Sequence, residues 1–308
     1  MKILLVVDGS AYSQMATSMV WTLRLPHNTV VTVMTVVPEH TFLGGITLSK
    51  LKGTQAKKEA QQQRALELLQ HSVRALGGTR LRVESIVRWG DPADEVLKEA
   101  DESKDSLVIM GARGLTDPLS FRLGSVAQTV MKHAKASVLL VRETSATTRV
   151  ATPKRAGISR VLLATDGSQY SDAVTQFLLD LPLPRQCEII VITALQSHLA
   201  ALIKTPTLDF QTNQELLAEL QAAEENAARK LTAKSEKRLQ ENGYKTTSLV
   251  IRGGAAESIL TAAKEYKPDI IALGSRGLTG IESLLLGSVA ERVARYANCS
   301  VLIGRVRR

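Results

Sequence analysis

The stretch Gly111–Gly114 reads GARG, and nine residues separate it from the pair Gly124-Ser125. The same spacing returns later in the chain, where GSRG at Gly274–Gly277 is followed after nine residues by Gly287-Ser288. Each stretch comes directly after a short apolar run and before a helical pattern. This is the order expected where a parallel strand ends at the edge of an α/β sheet. The repeated stretch therefore predicts two α/β units.

A tandem duplication accounts for most of the chain. Asp8-Gly9-Ser10 recurs as Asp166-Gly167-Ser168, a shift of 158 residues, whereas the glycine stretches are shifted by 163. The second copy therefore contains five additional residues between these two points. We expect the insertion around His198–Gln221, which corresponds to the less patterned stretch near His40–Gln55.

The length of the chain supports two domains. The chain has 308 residues, whereas a typical domain has about 100–150. Residues 144–157 are polar and lack apolar periodicity, a pattern typical of a linker. We therefore predict a first domain over residues 1–143, a linker over 144–157 and a second domain over 158–308.

Short β-branched runs alternate with helical patterns in both copies. We predict that the runs are strands buried on both faces of a parallel sheet. The predicted fold class is α/β, with two tandem doubly wound domains, each a five-stranded parallel sheet of order 3-2-1-4-5 with helices on both faces. The predicted strands are Ile3–Val7, Val30–Val37, Leu81–Val87, Leu107–Met110 and Val138–Val141, then Arg160–Ala164, Glu188–Thr193, Thr247–Ile251, Ile270–Leu273 and Val301–Ile303. The predicted helices of the first copy are Tyr12–Leu25, Thr54–Leu76, Pro92–Asp101 and Val126–Ala134.

The fifth strand of each predicted sheet lies at an edge but carries no charge. Val138–Val141 and Val301–Ile303 are wholly apolar, and an uncovered apolar edge favours pairing with another strand. We therefore predict that the two halves pair through these strands as an intramolecular pseudo-dimer. A homodimer of whole chains is left open.

The composition excludes several classes of protein. Hydrophobic residues make up 44% of the chain and charged residues 22%, which is typical of a globular protein and not of a disordered or fibrous one. The first apolar run, Ile3–Val7, is too short for a signal peptide or a membrane span, so we expect no membrane partner. Cys187 and Cys299 belong to no CxxC pattern, which favours a reducing, cytoplasmic location over a disulfide framework.

The net charge of +9 raises the question of a nucleic-acid partner. Much of the excess lies in the linker and at the C-terminus, where we expect Arg305, Arg307 and Arg308 to form a solubilising tail. Aromatic residues make up only 4% of the chain, and no basic stripe is interleaved with them. This composition argues against nucleic-acid binding as the main function.

The glycine stretches suit phosphate binding. Glycine lets the backbone approach a ligand without an intervening Cβ, and the free N–H groups and dipole of a helix N-terminus attract an anion. The hydroxyl of Ser125 or Ser288 can donate a further hydrogen bond. Asp8 and Asp166 end the first strand across the expected crevice, where a carboxylate can accept from an adenine amine or a ribose hydroxyl. Glycines and aspartates that serve only as turn residues are the alternative.

The chain resembles the universal stress protein family in its tandem-domain form. Both copies satisfy the family's nucleotide pattern G-x2-G-x9-G-[ST], and the Asp-Gly-Ser turn resembles the end of the family's first strand. The resemblance implies a nucleotide-binding domain in each half with ATP as ligand, with or without Mg²⁺, and with ADP or AMP as alternatives.

The resemblance also implies roles for individual residues. Two residues of each half would flank the adenine, one arginine would lie near the phosphates, and one valine would offer its backbone N–H. For the arginines, a solvated loop position is the alternative. The predicted cofactor-binding residues are Asp8, Val36, Met110, Gly111, Arg113, Gly114, Gly124, Ser125 and Val126 in the first half, and Asp166, Ala194, Leu273, Gly274, Arg276, Gly277, Gly287, Ser288 and Val289 in the second.

Three functions are compatible with these motifs. The leading hypothesis is a regulatory stress-response protein in which ATP occupancy is the signal. The chain has neither a GxxxxGK[ST] loop nor a repeated general base beside the glycines, which argues against efficient turnover, so we predict no catalytic residue and no metal ligand. A slow ATPase or self-phosphorylating enzyme is the second hypothesis, and a nucleotide-free dimerisation scaffold is the third.

Overall fold

The first half of the chain forms a doubly wound α/β unit. The computed structural model describes residues 1–23, 25–39, 42–43, 46–47, 54–78, 80–103, 106–115, 123–143, 157–181, 183–195, 210–278 and 286–306. The elements of the first half are β1 (Lys2–Val6), α1 (Ala11–Thr22), β2 (Val30–Val37), β3 (Phe42–Leu43), β4 (Ile46–Thr47), α2 (Thr54–Leu76), β5 (Arg82–Trp89), α3 (Pro92–Glu102), β6 (Leu107–Gly111), α4 (Ser125–His133) and β7 (Ser137–Val141).

The second half repeats this order of elements. Its elements are β8 (Arg160–Ala164), α5 (Gln169–Asp180), β9 (Glu188–Leu195), α6 (Phe210–Glu241), β10 (Lys245–Arg252), α7 (Ala255–Tyr266), β11 (Ile270–Gly274), α8 (Ser288–Tyr296) and β12 (Ser300–Gly304). The predicted strands and helices are all present, with ends that differ by at most three residues. The short pair β3 and β4 was not predicted, and it forms a separate two-stranded sheet.

Ten strands form one sheet in the described part of the chain. Their order is β10-β9-β8-β11-β12-β7-β6-β1-β2-β5. Within each half this order corresponds to 3-2-1-4-5, and the pairings inside a half are parallel. The predicted fold class is therefore confirmed.

The outer strands correct one expectation. Strands β5 and β10 were predicted to be buried on both faces, but they lie at the two edges of the sheet, and their residues are exposed or half-buried. Because each has a neighbouring strand on one side only, its side chains pack less completely than those of the central strands. The predicted order 3-2-1-4-5 already placed these strands at an edge, so the expectation of burial on both faces did not agree with the predicted order.

An apolar layer covers each face of the sheet. On one face, Leu5 and Met19 of the first half belong to the same layer as Val174 of the second. On the other face, Val130 of α4 belongs to the same layer as Val293 of α8. Because each layer takes residues from both halves, the halves share a core.

None of the helices in the described residues has the length and apolar character that crossing a bilayer requires.

Strands β7 and β12 join the two halves. They pair antiparallel, with Leu139 opposite Leu302. These two leucines are equivalent residues of the duplication, so the pairing is centred on matching positions. The halves are thus paired through the strands that the sequence predicted. Lys132 of α4 adds an ion pair across the junction with Glu291 of α8 (3.0 Å).

Two features of the duplication can be compared with the structure. Val30 and Glu188, which begin the second strands, differ by 158 residues, whereas Arg82 and Lys245, which begin the third strands, differ by 163. The five-residue insertion therefore lies between these strands. Residues 198–209 of the predicted insertion region and residues 144–156 of the predicted linker lie outside the described residues, so the domain boundaries stay predictions.

Both cysteines are buried thiols. Burial raises the pKa of Cys187 and of Cys299 to about 12. Because the thiolate is the reactive form, we expect a thiol reagent at pH 8 to leave both unmodified in the native protein and to modify both after unfolding in urea. Mass spectrometry of the two samples measures this difference. Equal rates of modification in native and unfolded protein would contradict the burial.

Candidate functional site

A tight turn links the first strand of each half to the next helix. Gly9 has a φ of +84°, in the left-handed region that favours glycine. The side chain of Asp8 accepts a hydrogen bond from the N–H of Ser10 (2.9 Å), and Ser10 Oγ accepts from the N–H of Ser13 at the start of α1 (3.1 Å). The second half repeats these features at Asp166, Gly167, Ser168 and Ser171.

The aspartate of this turn contacts the glycine loop across the sheet edge. A Cβ added to Gly114 would lie 2.7 Å from Asp8 Oδ2, and one added to Gly277 would lie 2.7 Å from Asp166 Oδ2. Asp166 Oδ2 also accepts a hydrogen bond from the N–H of Leu278 (3.0 Å). The structure therefore brings the predicted aspartates and second glycines together. It also gives each aspartate a local role in holding its turn, and Asp166 additionally bonds to the loop that follows Gly277.

The first glycine of each motif is explained by packing. A Cβ on Gly111 would lie 2.7 Å from the Cβ and 2.9 Å from the carbonyl carbon of Tyr12. A Cβ on Gly274 would meet the same atoms of Tyr170 at 2.9 Å. The first turn of α1 or α5 thus packs directly on the end of the fourth strand. This glycine is required by the fold, whether or not a ligand binds.

The third glycine of each motif has no such explanation. Gly124 precedes α4 with φ −64° and ψ 151°, and Gly287 precedes α8 with φ −81° and ψ 155°, conformations open to any residue. The nearest atoms to an added Cβ are the Cα of Arg113 at 3.4 Å and the Cα of Arg276 at 3.5 Å, which is about ordinary contact distance. Among the described residues, which do not include 116–122 and 279–285, neither the backbone nor the neighbouring atoms require glycine here.

The helix that follows this glycine begins without a side-chain cap. The N–H groups of Gly124 and Gly287 donate to the carbonyls of Ala112 (3.0 Å) and Ser275 (2.7 Å). The next N–H groups have no acceptor within the helix, as is general for the first turn. They belong to Ser125 and Val126 in α4 and to Ser288 and Val289 in α8, and the two serines are exposed. An anion placed here would meet several donors.

These packing distances predict that two alanine variants lose different amounts of the free energy of unfolding. Gly111→Ala is expected to lower the free energy of unfolding by about 1–3 kcal/mol, because its Cβ would overlap Tyr12. Gly124→Ala is expected to stay within about 1 kcal/mol of the parent protein. Urea unfolding followed by circular dichroism measures both. Equal losses in the two variants would contradict this distinction.

The motif arginines pack on tyrosines that sequence reasoning did not assign. The Arg113 guanidinium lies 5.4 Å from the ring centre of Tyr12, and Arg276 lies 5.4 Å from that of Tyr170. Arg276 Nη1 also donates to the Tyr170 hydroxyl (2.9 Å), whereas its buried Nε has no acceptor among the described residues. Both arginines are half-buried against these tyrosines, and their role toward a ligand stays a prediction. The signal for the tyrosines was the repeat itself, since both follow the Asp-Gly-Ser turn at the same spacing.

The residues predicted to flank the base lie on both sides of the first strand. Val6 of β1 pairs with Met34 of β2 on one side and with Met110 of β6 on the other. Val36 at the end of β2 is half-buried, and Met110 is buried. The order of strands reverses between β1 and β6, the point where ligands bind in doubly wound folds. The second half places Ala194, half-buried, and Leu273, buried, at the corresponding positions.

The two halves differ near this end of the site. Arg88 is the register partner of Val36, and its Nε donates to Glu99 (3.0 Å). Although burial opposes it, hydrogen bonds from Ser103 and Arg88 keep the pKa of Glu99 below its ordinary value. The equivalent residues of the second half are Ile251 and Ala262. The two candidate sites therefore share their glycine end but not their surroundings near the second strand.

A separate groove lies away from the glycine motifs. It has a volume of about 310 Å³ and is lined by residues including Leu260, Tyr296 and Cys299. Tyr296 is the last residue of α8, whereas the glycine motif meets the first turn of that helix. This groove therefore does not belong to the candidate site.

The fold and the duplicated glycine motif together define a tandem α/β protein with two candidate anion-binding sites. The family model described as Universal stress protein family matches residues 1–142 and 157–305. The chain therefore belongs to the universal stress protein family. Both halves match the model separately, in agreement with the duplication.

Individual relatives agree with this assignment. Universal stress protein MJ0531 of Methanocaldococcus jannaschii is 31% identical over 144 residues, which are 47% of this chain and 80% of the relative. Universal stress protein Rv2623 of Mycobacterium tuberculosis is 26% identical over 215 residues, which are 70% of this chain and 66% of the relative. A solved universal stress protein of Archaeoglobus fulgidus has a TM-score of 0.62 at 20% identity and covers 99% of this chain and 98% of its own, which establishes a shared fold.

Proposed function

We propose that each half of the chain binds one adenine nucleotide, with ATP as the principal ligand. The phosphates would lie at the first turn of α4 or α8, and the base would lie between the ends of the second and fourth strands. One observation carries the proposal: Gly124 and Gly287 are glycines although neither their backbone conformation nor any described neighbour requires glycine there. A phosphate close to the backbone supplies the missing reason.

The surroundings of these glycines support an anionic ligand. Several N–H donors and the positive end of the helix dipole point toward the site. Arg113 and Arg276 pack on tyrosines beside the same loop, which limits the side-chain freedom that binding would otherwise remove. The buried Nε of Arg276 is a donor for which a ligand could provide the acceptor. ATP would bind with or without Mg²⁺, and ADP or AMP are the alternative ligands.

We propose nucleotide occupancy, rather than turnover, as the working state. Among the described residues, Asp8 and Asp166 lie beside the glycine loops, and both already accept hydrogen bonds from backbone N–H groups. A carboxylate held in this way is poorly placed to activate water. A slow ATPase or self-phosphorylating activity is the second candidate, and a nucleotide-free scaffold is the third. A stress-response role follows the family resemblance, a cytoplasmic location follows the cysteine pattern, and both stay predictions.

We further propose that the β7–β12 junction forms, within one chain, the dimer that single-domain relatives would form between two chains. The antiparallel register centred on equivalent leucines supports this view. The proposed domain boundaries are residues 1–143 and 158–308. A homodimer of whole chains is a separate question that ultracentrifugation of the full chain answers.

The identity of the ligand can be determined directly. The purified protein is denatured and the released small molecules are separated by chromatography. We expect an adenine nucleotide at up to two equivalents per chain. A purified Gly124→Val, Gly287→Val protein is the control, because nucleotide released from that variant at the same stoichiometry would come from elsewhere.

Substitution of Asp8 tests the part of the proposed site that would bind the adenine or the ribose. Asp8→Ala is expected to weaken nucleotide binding in the first site by about 1.5–3 kcal/mol, the range for a hydrogen bond to a charged group. Asp8→Asn, which keeps an acceptor for the N–H of Ser10, should retain more of the affinity. Calorimetry in the Gly287→Val background isolates the first site. Unchanged affinity in Asp8→Ala would remove this aspartate from the site.

A further inference from the structure

Two arginines cross the junction between the halves. Arg142 follows β7, is 6% exposed, and donates from Nη2 to the carbonyl of Ala294 in α8 of the second half. Arg305 follows β12 and donates from Nη2 to the carbonyls of Met131 (2.7 Å) and Lys132 (3.3 Å) in α4 of the first half. The expectation that Arg305 belongs to a solubilising tail is therefore wrong.

These contacts satisfy carbonyls that the helices cannot satisfy themselves. The last four carbonyls of a helix lack intrahelical partners. In α4 the Val130 carbonyl accepts from the N–H of Ala134, and Arg305 donates to the next two carbonyls. In α8 the Val293 carbonyl accepts from Ala297, and Arg142 donates to the next one. Burial lowers the pKa of both arginines to about 10, so both are cations at neutral pH, which a helix C-terminus favours.

Two serines fix the backbone of the arginines in the same reciprocal way. The N–H of Arg142 donates to Ser300 Oγ (3.1 Å), and the N–H of Arg305 donates to Ser137 Oγ (3.2 Å). Ser137 and Ser300 begin the two fifth strands. Each arginine is thus held at its backbone by one element of the opposite half and at its side chain by another. The opposite half therefore contributes contacts to both the backbone and the side chain of each arginine.

The helices held by these arginines begin at the candidate sites. Helix α4 has nine residues, so its length is about 13 Å at 1.5 Å per residue. Its first turn adjoins Gly124, and its last turn bonds to Arg305 of the second half. Helix α8 likewise joins Gly287 to Arg142 of the first half. A shift of the last turn of so short a helix would move the donors of its first turn.

We propose that Arg305 is a positioning residue of the first nucleotide site and that Arg142 is a positioning residue of the second. Each half would thus complete the anion-binding helix of the other half, and neither site would reach full affinity alone. This inference rests on the proposed nucleotide binding. It adds a residue to each site that lies far from the glycine motif in sequence.

The test measures each site separately by calorimetric titration with ATP. In the Gly287→Val background, which retains the first site, Arg305→Met is expected to weaken binding by about three- to tenfold, and Arg142→Met is expected to have a smaller effect. In the Gly124→Val background, which retains the second site, the order of the two effects is expected to reverse. Arg→Lys variants keep the charge and a donor and should recover part of the loss.

A merely structural role would give a different pattern. General loosening of the junction would weaken both sites equally, and either that result or no effect on either site would overturn the inference. Lys135→Met is the matched control, since this exposed lysine also follows α4 but bonds to Asp101 of its own half. We expect it to leave both affinities unchanged.

Hydrogen exchange on the full chain provides a readout without nucleotide. Arg305→Met should accelerate exchange in α4 more than in α8, and Arg142→Met should do the opposite. Exchange that rises only in the helix of the arginine's own half would overturn the inference. If the unaltered protein bound no ATP, the proposed function itself would fail, and the exchange data would still report whether the arginines order these helices.

Discussion

Gly124→Val is expected to remove one of two nucleotide sites per chain and to leave the other at its original affinity. The backbone at position 124 is already extended, with φ −64° and ψ 151°, so valine can adopt it without strain. The branched side chain would instead occupy the space between the backbone and a phosphate. Gly287→Val is expected to do the same in the second half. Calorimetric stoichiometry, falling from two to one, measures each effect.

Three further variants test whether the loss of binding in Gly124→Val comes from the phosphate site itself. Gly124→Ala adds only a methyl group and should weaken the first site without abolishing it. Gly111→Ala should lower stability through its overlap with Tyr12, so a loss of binding there would be accompanied by a loss of stability. The double variant Gly124→Val, Gly287→Val should bind no nucleotide while retaining its circular dichroism. Two sites of unchanged affinity in the double variant would show that the assigned pocket is wrong.

Residues 1–143, expressed alone, are expected to dimerise or aggregate. In the full chain β7 pairs with β12, so separation leaves the β7 backbone unpaired along an apolar edge. Leu139 and Leu140, which are 1% and 0% exposed in the full chain, would lose part of their cover. Unpaired strand edges of this kind promote association. Analytical ultracentrifugation over a range of concentrations measures the association.

The complementary fragment is the control for this prediction. Residues 158–308 carry β12 together with Arg305 and Ser300, so they offer the partner surface that the first fragment has lost. Mixing the two fragments is expected to replace the self-associated species with a one-to-one complex. The contrary outcome is a first fragment that folds, stays monomeric at high concentration and forms no complex with the second fragment. That result would contradict the role of the junction.

Much of the fold was predictable because the duplication places the same strand and turn patterns in both halves, so each pattern can be checked against its repeat. The strand order and the β7–β12 pairing followed from periodicity and from the apolar fifth strands. The exposure of β5 was not predicted, although the predicted order places the third strand of each half at an edge and Arg82–Trp89 contains four polar residues. The expectation of burial on both faces was taken from the apolar strands and extended to this one.

The residues of the candidate site were predictable from the sequence. Which of them the fold itself requires, and which a ligand would require, was not. The three glycines of each motif look alike in sequence. Packing explains Gly111 and the adjacent aspartate explains Gly114, whereas no contact among the described residues explains Gly124. Arg305 was misread because a charged residue near a chain end is usually solvated. Its contacts lie on a helix more than 170 residues away in sequence, and no local pattern indicates them.

The most direct measurement is a calorimetric titration of the nucleotide-free, full-length protein with ATP. The account predicts two sites per chain, one of which disappears in Gly124→Val and the other in Gly287→Val. Absence of any binding to folded protein by ATP, ADP or AMP would contradict the account and leave the nucleotide-free scaffold as the function to pursue.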